Sequence, residues 1–356
     1  MPNIGVIGCG YWGPNLVRNF QSLGRSKLLM CADKLPQRLE FIHSQFPTVQ
    51  ITQDAGEILR NPRIDAVAIA TPVTTHFKLA REALLQGKDV LLEKPMVASV
   101  EQAEELLELA EKSRLIVMVD HTFVYTGAVR KLKDLLLQDT LGDLYYIDSV
   151  RANLGLFQQD VNVLWDLAVH DVSIIDFLCG CLPASVLTVG ACHVKDGIEN
   201  VAYLTAFYAN KLLAHVHVSW LAPAKVRRML ICGSKKMAIY DDVEPSEKIK
   251  VYDKGVEIRS DPEAIRQARV LYRVGDMYAP CLDATEALRT VTTHFVDCIE
   301  GRTRPLTDGE AGMRVVRVLE AAERSIREGG GLVSVSGRAE REKKLVAGSA
   351  ESALHG

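Results

Sequence analysis

Apolar and polar positions follow one rhythm over the first third of the chain and another beyond it. Up to residue 121, short apolar runs alternate with stretches in which apolar residues recur every three or four positions. The runs 3–7, 27–33, 65–71, 89–93 and 115–120 predict strands, and 14–23, 35–46, 74–86 and 99–113 predict helices. Residues 65–71 are almost wholly apolar, as expected of a central strand covered on both faces. Such alternation predicts an α/β fold with a doubly wound parallel sheet.

Past residue 121 helices are expected near 126–138 and 162–178, and strands at 144–153, 185–194, 200–209, 211–220, 226–233, 236–241 and 248–252. The run ending at Trp220 alternates cleanly, with Leu212, Ala214, Val216, Val218 and Trp220 on one face and Leu213, His215, His217 and Ser219 on the other. Strands in succession predict an α+β domain on a large, mostly antiparallel open sheet. We therefore expect domains at 1–121 and 122–336. Residues 337–356 lack an apolar period and are expected to form a mobile tail.

Candidate chemistry begins where the first strand breaks into Gly8-Cys9-Gly10-Tyr11-Trp12-Gly13, a G-x-G-x-x-G turn leading into a helix. Gly8 permits the bend, Gly10 lets backbone approach a pyrophosphate, and Gly13 lets helix pack on strand. The free amides and dipole of the helix start favour a diphosphate. The second strand ends in Asp33, twenty residues past Gly13, placed to bind an adenosine ribose. A dinucleotide cofactor is expected, NAD rather than NADP, because Asp33 repels a 2′-phosphate; Lys34 and Arg38 soften that preference. Tyr11 and Trp12 lie in the loop itself, and Thr71 and Pro72 end the central strand at the same sheet edge. His76 and His121 are further candidates for cofactor contacts, each with a purely structural alternative.

The strand 89–92 delivers Glu93-Lys94-Pro95 to that edge, where Glu93 and Lys94 join the candidates for cofactor contact. Pro95 biases Lys94 away from helix, so the lysine projects in one direction. Beside a positively charged nicotinamide a partly desolvated lysine has a lowered pKa and can polarise a substrate oxygen. The alternative is a solvated strand end. In the helix 162–178, Asp166, His170, Ser173 and Phe177 fall on one strip. Asp166, one turn before His170, is expected to orient the ring and stabilise its protonated form, as in a base-orienter pair. A satisfied core histidine or a metal ligand pair are the alternatives. His215 and His217 share a strand face but lack a third ligand, so no metal is expected.

Composition narrows the partners. With 356 residues and 48% hydrophobic content, two cores are affordable, and a net charge of −3 leaves no electrostatic footprint for nucleic acid or a membrane surface. There is no run of eighteen apolar residues and the N-terminus enters a strand directly, so a cytoplasmic protein is expected. The eight cysteines are scattered and are expected to be buried thiols in a reducing compartment.

Together, the glycine loop at 8–13, Asp33, Ala70-Thr71-Pro72 with His76, Glu93-Lys94-Pro95, Leu141-Gly142-Asp143-Leu144 and Trp165-Asp166-Leu167-Ala168-Val169-His170-Asp171 resemble the glucose-fructose oxidoreductase and inositol dehydrogenase family, Gfo/Idh/MocA. The resemblance extends through 294–301 and 305–310. It implies an NAD(P)-dependent dehydrogenase of sugars or cyclitols, a Rossmann domain followed by an open-sheet domain, and a homodimer or homotetramer. It places Lys94, Asp166 and His170 at catalytic positions, with His170 taking the alcohol proton and Lys94 bonding the reacting oxygen. A finer similarity, over residues 151–166, is to members that oxidise C3 of UDP-N-acetylglucosamine or its uronic acid. Arg151, Asn153 and Asn162 then become candidates for substrate contacts, although strand-face packing or, for Asn162, helix capping is the alternative. Regulators that bind dinucleotide without turnover share this fold, and fold alone does not separate them from enzymes.

Overall fold

The structure is a computed structural model describing residues 1–155, 157–158, 160–195, 197–258 and 270–335. The expected tail at 337–356 lies outside the described residues.

The N-terminal half alternates as its sequence pattern predicts. Its elements are β1 (Asn3–Ile7), α1 (Gly13–Ser22), β2 (Lys27–Ala32), α2 (Pro36–Gln45), β3 (Gln50–Thr52), α3 (Ala55–Arg60), β4 (Ala66–Ile69), α4 (Val73–Leu85), β5 (Asp89–Glu93), α5 (Val100–Ser113) and β6 (Val117–Asp120). The sheet has the order β3-β2-β1-β4-β5-β6 and every pairing is parallel. The winding reverses between β1 and β4, so a crevice opens beyond their C-terminal ends. β4 is fully buried, which is why it carries no polar residue. β3 and α3 escape the periodicity because β3 is three partly exposed edge residues and α3 buries only Ile58 and Leu59.

A 3-10 turn at Thr122–Tyr125 leads to α6 (Gly127–Leu137), β7 (Leu144–Leu154), a π-helical turn at Leu164–Ala168 and α7 (Val169–Cys179). Then come β8 (Ser185–Ala191), β9 (Val201–Phe207), β10 (Leu213–Ser219), β11 (Leu221–Gly233), β12 (Met237–Asp241), β13 (Ile249–Ile258), β14 (Val270–Tyr278), α8 (Ala287–Gly301), α9 (Gly309–Arg327) and β15 (Val333–Ser334). They form a nine-stranded sheet, β14-β13-β12-β11-β7-β10-β9-β8-β15, antiparallel except where β7 runs parallel to β10. One face, with Ile147, Val216, Val218, Met229 and Ile231, is buried in the core that also takes Ile174, Ile175 and Leu178 of α7. β14 carries exposed Tyr272 and Val274, so burial left no alternating signature to find there.

The chain then returns to the first sheet. α8 seats Leu288, Val291 and Phe295 in a core with Leu16 and Phe20 of α1, and the Phe20 and Phe295 rings meet edge-on at 6.4 Å. α9 packs against both α5 and α7, tying the two sheets together beside the crevice. All eight cysteines are free, but the expectation of burial holds only in part. Cys9, Cys31, Cys232 and Cys298 are buried, whereas Cys181, Cys192 and Cys281 are exposed.

Candidate active site

The glycine loop is built by close backbone contacts. Gly8 has φ +96, and a Cβ there would stand 2.5 Å from the Ala70 carbonyl oxygen. A Cβ on Gly13 would stand 2.0 Å from the Gly8 carbonyl oxygen. Gly10 is different: the nearest atom to a Cβ there is Nη1 of Arg38, at 3.5 Å. No backbone crowds Gly10; what lies over it at the start of α1 is the movable end of the Arg38 side chain, a cation that a diphosphate would meet. Asp33 accepts from the Cys9 amide at 2.7 Å and the Leu35 amide at 2.9 Å, with Arg38 Nη1 at 3.4 Å. Lys34 and Tyr11 are exposed, and Tyr11 stacks on Trp12 at 6.2 Å. Thr71 and Pro72 close β4 at the same edge, with the Thr71 hydroxyl 2.7 Å from that of Thr75. The loop, Asp33, Thr71 and Pro72 thus gather at one sheet edge, where the backbone donors at the start of α1 and the Asp33 carboxylate suit a dinucleotide.

Three residues expected to touch the cofactor serve the scaffold behind it. His76 is 1% exposed, with Nε2 2.7 Å from the Thr71 carbonyl and Nδ1 2.9 Å from that of Pro95, so it ties the end of β4 to the Lys94–Pro95 turn, a cis peptide. Glu93 is also buried, accepting from the Lys94 amide at 3.0 Å, and its register partner on β6 is Asp120. Burial and the adjacent Asp120 carboxyl push Glu93 well above the usual carboxylate range, and burial also raises Asp120. Asp120 accepts from Trp12 Nε1 at 3.3 Å and from the Thr122 hydroxyl at 2.7 Å; the first of these bonds fastens the glycine loop to the end of β6. Asp120 was not singled out from the sequence; its only signal was closing a strand beside Glu93.

His121 is the third. Both ring nitrogens are buried without a partner, and the ring lines a cavity of about 30 Å³ with Ser173, Asp176, Thr307 and Arg314. Burial, then the charges of Lys94 and Arg314, push its pKa down from 6.5 to about 3. The native state refuses a proton that the unfolded chain accepts below pH 6.5, so stability is full above that pH and falls as pH drops toward 3. The slope is about 1.4 kcal/mol per pH unit for one such group. Urea unfolding of His121→Asn should show a flatter loss between pH 6.5 and 4 than the parent protein; parallel curves would remove this role.

Lys94, Asp166 and His170 converge where the two sheets meet. Lys94 Nζ donates to the Asp166 carbonyl at 2.8 Å and lies 3.5 Å from its carboxylate. The other carboxylate oxygen accepts from Trp220 Nε1 at 2.9 Å. The expected Asp166–His170 bond is absent. Residues 164–168 form a π turn in which the Val169 amide reaches back five residues to Leu164, so positions four apart no longer stand in line. His170 packs edge-on against Phe123 at 4.9 Å, with Nδ1 buried and unpartnered. Burial, followed by the charges of Lys94, Arg151 and Arg227, lowers its pKa well below 6.5, so the ring is held neutral rather than protonated.

The substrate candidates part ways. Arg151 is 2% exposed and clamps Asp171 through Nε at 2.6 Å and Nη2 at 3.3 Å, with its guanidinium 4.4 Å from the Phe123 ring. Asn153, two positions on and on the same sheet face, is half-buried and faces the same side. Asn162 caps the helical segment that carries Asp166 and His170: its oxygen accepts from the Leu164 and Trp165 amides and its nitrogen donates to Glu199 at 2.9 Å. Its amide is therefore committed to the fold. Phe123, Trp220 and Arg227 also build the site and were missed, since nothing local marks them, whereas Asp171, the end of the 165–171 motif, pairs with Arg151. His215 and His217 lie on the outer face, stacked on Tyr203 at 6.2 and 4.5 Å; no group of three metal-ligating side chains occurs among the described residues.

Comparison with known proteins agrees with this architecture. Residues 2–121 match the oxidoreductase family with an NAD-binding Rossmann fold, GFO/IDH/MocA, and residues 129–239 match the C-terminal domain of the same family. The Escherichia coli oxidoreductase YdgJ is 29% identical over 221 residues, which span 58% of this chain and 62% of that relative. The UDP-N-acetylglucosamine 3-dehydrogenase of Acidithiobacillus ferrooxidans is 26% identical over 321 residues, 88% of this chain and 93% of the relative. A solved structure of that enzyme superposes with a TM-score of 0.76, covering 92% of this chain and 98% of its own at 23% identity. The myo-inositol 2-dehydrogenase of Thermotoga maritima is 22% identical over 336 residues, 91% of this chain and 96% of its own. The chain therefore belongs to the GFO/IDH/MocA family of oxidoreductases, with an NAD-binding Rossmann fold.

Proposed function

We propose that this oxidoreductase removes hydride and proton from a secondary alcohol of a nucleotide-linked sugar, at C3 of UDP-N-acetylglucosamine or its uronic acid. The observation that carries the reaction is His170, whose Nδ1 is buried without a partner and whose pKa is held low by burial and by the charge of Lys94, a lysine itself anchored by Asp166. The glycine loop and Asp33 would hold NAD, which would supply the hydride acceptor. Lys94 Nζ, anchored by Asp166, donates to the reacting oxygen and stabilises negative charge as the O–H bond breaks. Nδ1 of His170 is buried without a partner, which leaves Nε2 as the ring nitrogen that takes the proton of the alcohol. Asp166 fixes the lysine through its own bond to Trp220 and does not orient the imidazole. The choice of sugar rests on the relative from Acidithiobacillus ferrooxidans and on the residues 151–166.

A second reading, a dehydrogenase of a free cyclitol, is favoured by the relative from Thermotoga maritima. NAD reduction by the purified protein separates them when UDP-N-acetylglucosamine, its uronic acid, myo-inositol and glucose are offered one at a time. Turnover of a UDP-sugar alone is the expected result; turnover of inositol or glucose alone would overturn the nucleotide-sugar reading. Silence on every substrate with NAD bound would instead favour a cofactor-dependent sensor. The outward sheet face exposes Tyr146, Tyr203, Phe207 and Leu213, which supports a homo-oligomer joined through that face in the cytoplasm.

A further inference from the structure

Strand register lays out the outward face of the second sheet in rows. His217 on β10 has Tyr203 of β9 on one side and Val150 of β7 on the other, and its row continues to Arg228 of β11 and Asp241 of β12. The next row runs Thr205, His215, Asp148, Leu230 and Ile239, and ends at Lys250 of β13. A third carries the exposed Phe207, Leu213 and Tyr146. With strands about 4.8 Å apart and rows about 7 Å apart, the three rows cover roughly 30 Å by 20 Å. That is at the upper limit of the patch a monomer leaves in water, about 600 Å², and near the ~800 Å² that each partner gives to a stable pair.

Two histidines stand toward the middle of this face. Both are half-buried and stack on the Tyr203 ring, His215 at 6.2 Å and His217 at 4.5 Å, and His215 Nδ1 lies 3.1 Å from the Thr205 hydroxyl. The titratable and charged groups that face them are Asp148 and Tyr146 of β7, Tyr203 of β9, Arg228 of β11, Asp241 of β12 and Lys250 of β13, while β8 brings the apolar Leu187 and Val189. On the two strands paired with β10, Asp148 is the one carboxylate in these rows. Burial, then the charge of His215, lowers the His217 pKa from 6.5, with Asp148 acting in the opposite direction.

We propose that His215 and His217 make assembly of the protein pH-dependent, so that copies joined through this face separate as the histidines take up protons. This rests on the homo-oligomer proposed above. A second copy seated on the sheet takes both rings out of water, and an imidazolium there is costly unless an anion meets it. Asp148 meets one such charge, which leaves the other without a partner, and a two-fold pair brings the same surplus from both copies. Tyr203 offers a cation its π face, but one ring serves both histidines. The assembly therefore refuses protons that separated copies accept. It is complete above the pH at which the separated copies take them, and weakens as pH falls through that value, which for His217 lies below 6.5. One proton refused per copy raises the dissociation constant of a pair by up to about 100-fold per pH unit.

Sedimentation velocity of the full chain at pH 7.5 and 5.0, with circular dichroism to follow the fold, tests this. The parent protein should be an oligomer at pH 7.5, with a dissociation constant at least about tenfold higher at pH 5.0 and an unchanged circular dichroism spectrum. The double variant His215→Gln, His217→Gln carries amides that cannot be charged. It should assemble as the parent does at pH 7.5 and change less than about threefold at pH 5.0. His217→Gln alone should lose part of the pH dependence. Equal dissociation constants at the two pH values, a loss of assembly that coincides with unfolding, or a double variant that separates as steeply as the parent would overturn the switch and leave the oligomer standing. A monomer at pH 7.5 would overturn both.

Discussion

Replacing His170 by Asn is expected to lower kcat for alcohol oxidation by about 10²- to 10⁴-fold, the usual weight of a positioned general base. NAD affinity should stay within about threefold. The reason lies in how the two halves of the site are held. The cofactor cradle is made by the loop at 8–13, Asp33 and Thr71, whereas His170 rises from the opposite side on α7, against Phe123. Asparagine keeps a polar side chain there but cannot accept the alcohol proton. The pH profile gives a second readout. Because burial and the cations around it hold His170 below its ordinary value of 6.5, the base is competent at neutral pH, and the rate falls only as pH drops through that lowered value. Lys94→Ala should show a comparable loss, since it removes the donor to the reacting oxygen and frees Asp166. Parent-like turnover in His170→Asn, measured with NAD and whichever substrate the panel identifies, would remove the base assignment.

Gly13→Ala should abolish NAD binding and destabilise the protein together. Its methyl group would lie 2.0 Å from the Gly8 carbonyl oxygen, a backbone atom that cannot rotate aside, so α1 must move off β1 or the loop must open. Overpacking of this kind costs about 1–3 kcal/mol or more. The amides at the start of α1 would then no longer be aimed at a diphosphate. Gly10→Ala is the contrasting variant. Its methyl group would meet only Arg38 at 3.5 Å, an ordinary contact with the end of a flexible side chain, so Tm should hold while the methyl occupies the diphosphate space. Thermal unfolding with and without NAD, together with a fluorescence titration of NADH, distinguishes the two. A Gly13→Ala protein with parent-like Tm and NADH affinity would refute the account of the loop.

What could be read along the chain was whatever burial imposes with a short period. The strands of the first sheet and the alternating run to Trp220 were legible because each buries a face whose apolar residues lie within a few positions of one another. The glycine loop and Asp33 were legible because a diphosphate and a ribose require fixed local geometry. Lys94 and His170 came from motifs for the same reason. β3 and β14 were not legible, since partly exposed edge strands bury too little to leave a pattern.

The partners within the site were decided only by the tertiary structure. Asp166 and His170 look like a pair at four-residue spacing, yet a single π turn takes them out of line and gives the carboxylate to Trp220, fifty-four positions away. Arg151 looks available to a substrate until Asp171 folds under it. Arg227 and Phe123 carry no local mark at all, because strand register and the docking of α7 bring them beside His170. Spacing along a chain determines which residues share a face, but which polar atom meets which depends on the register between elements far apart in sequence.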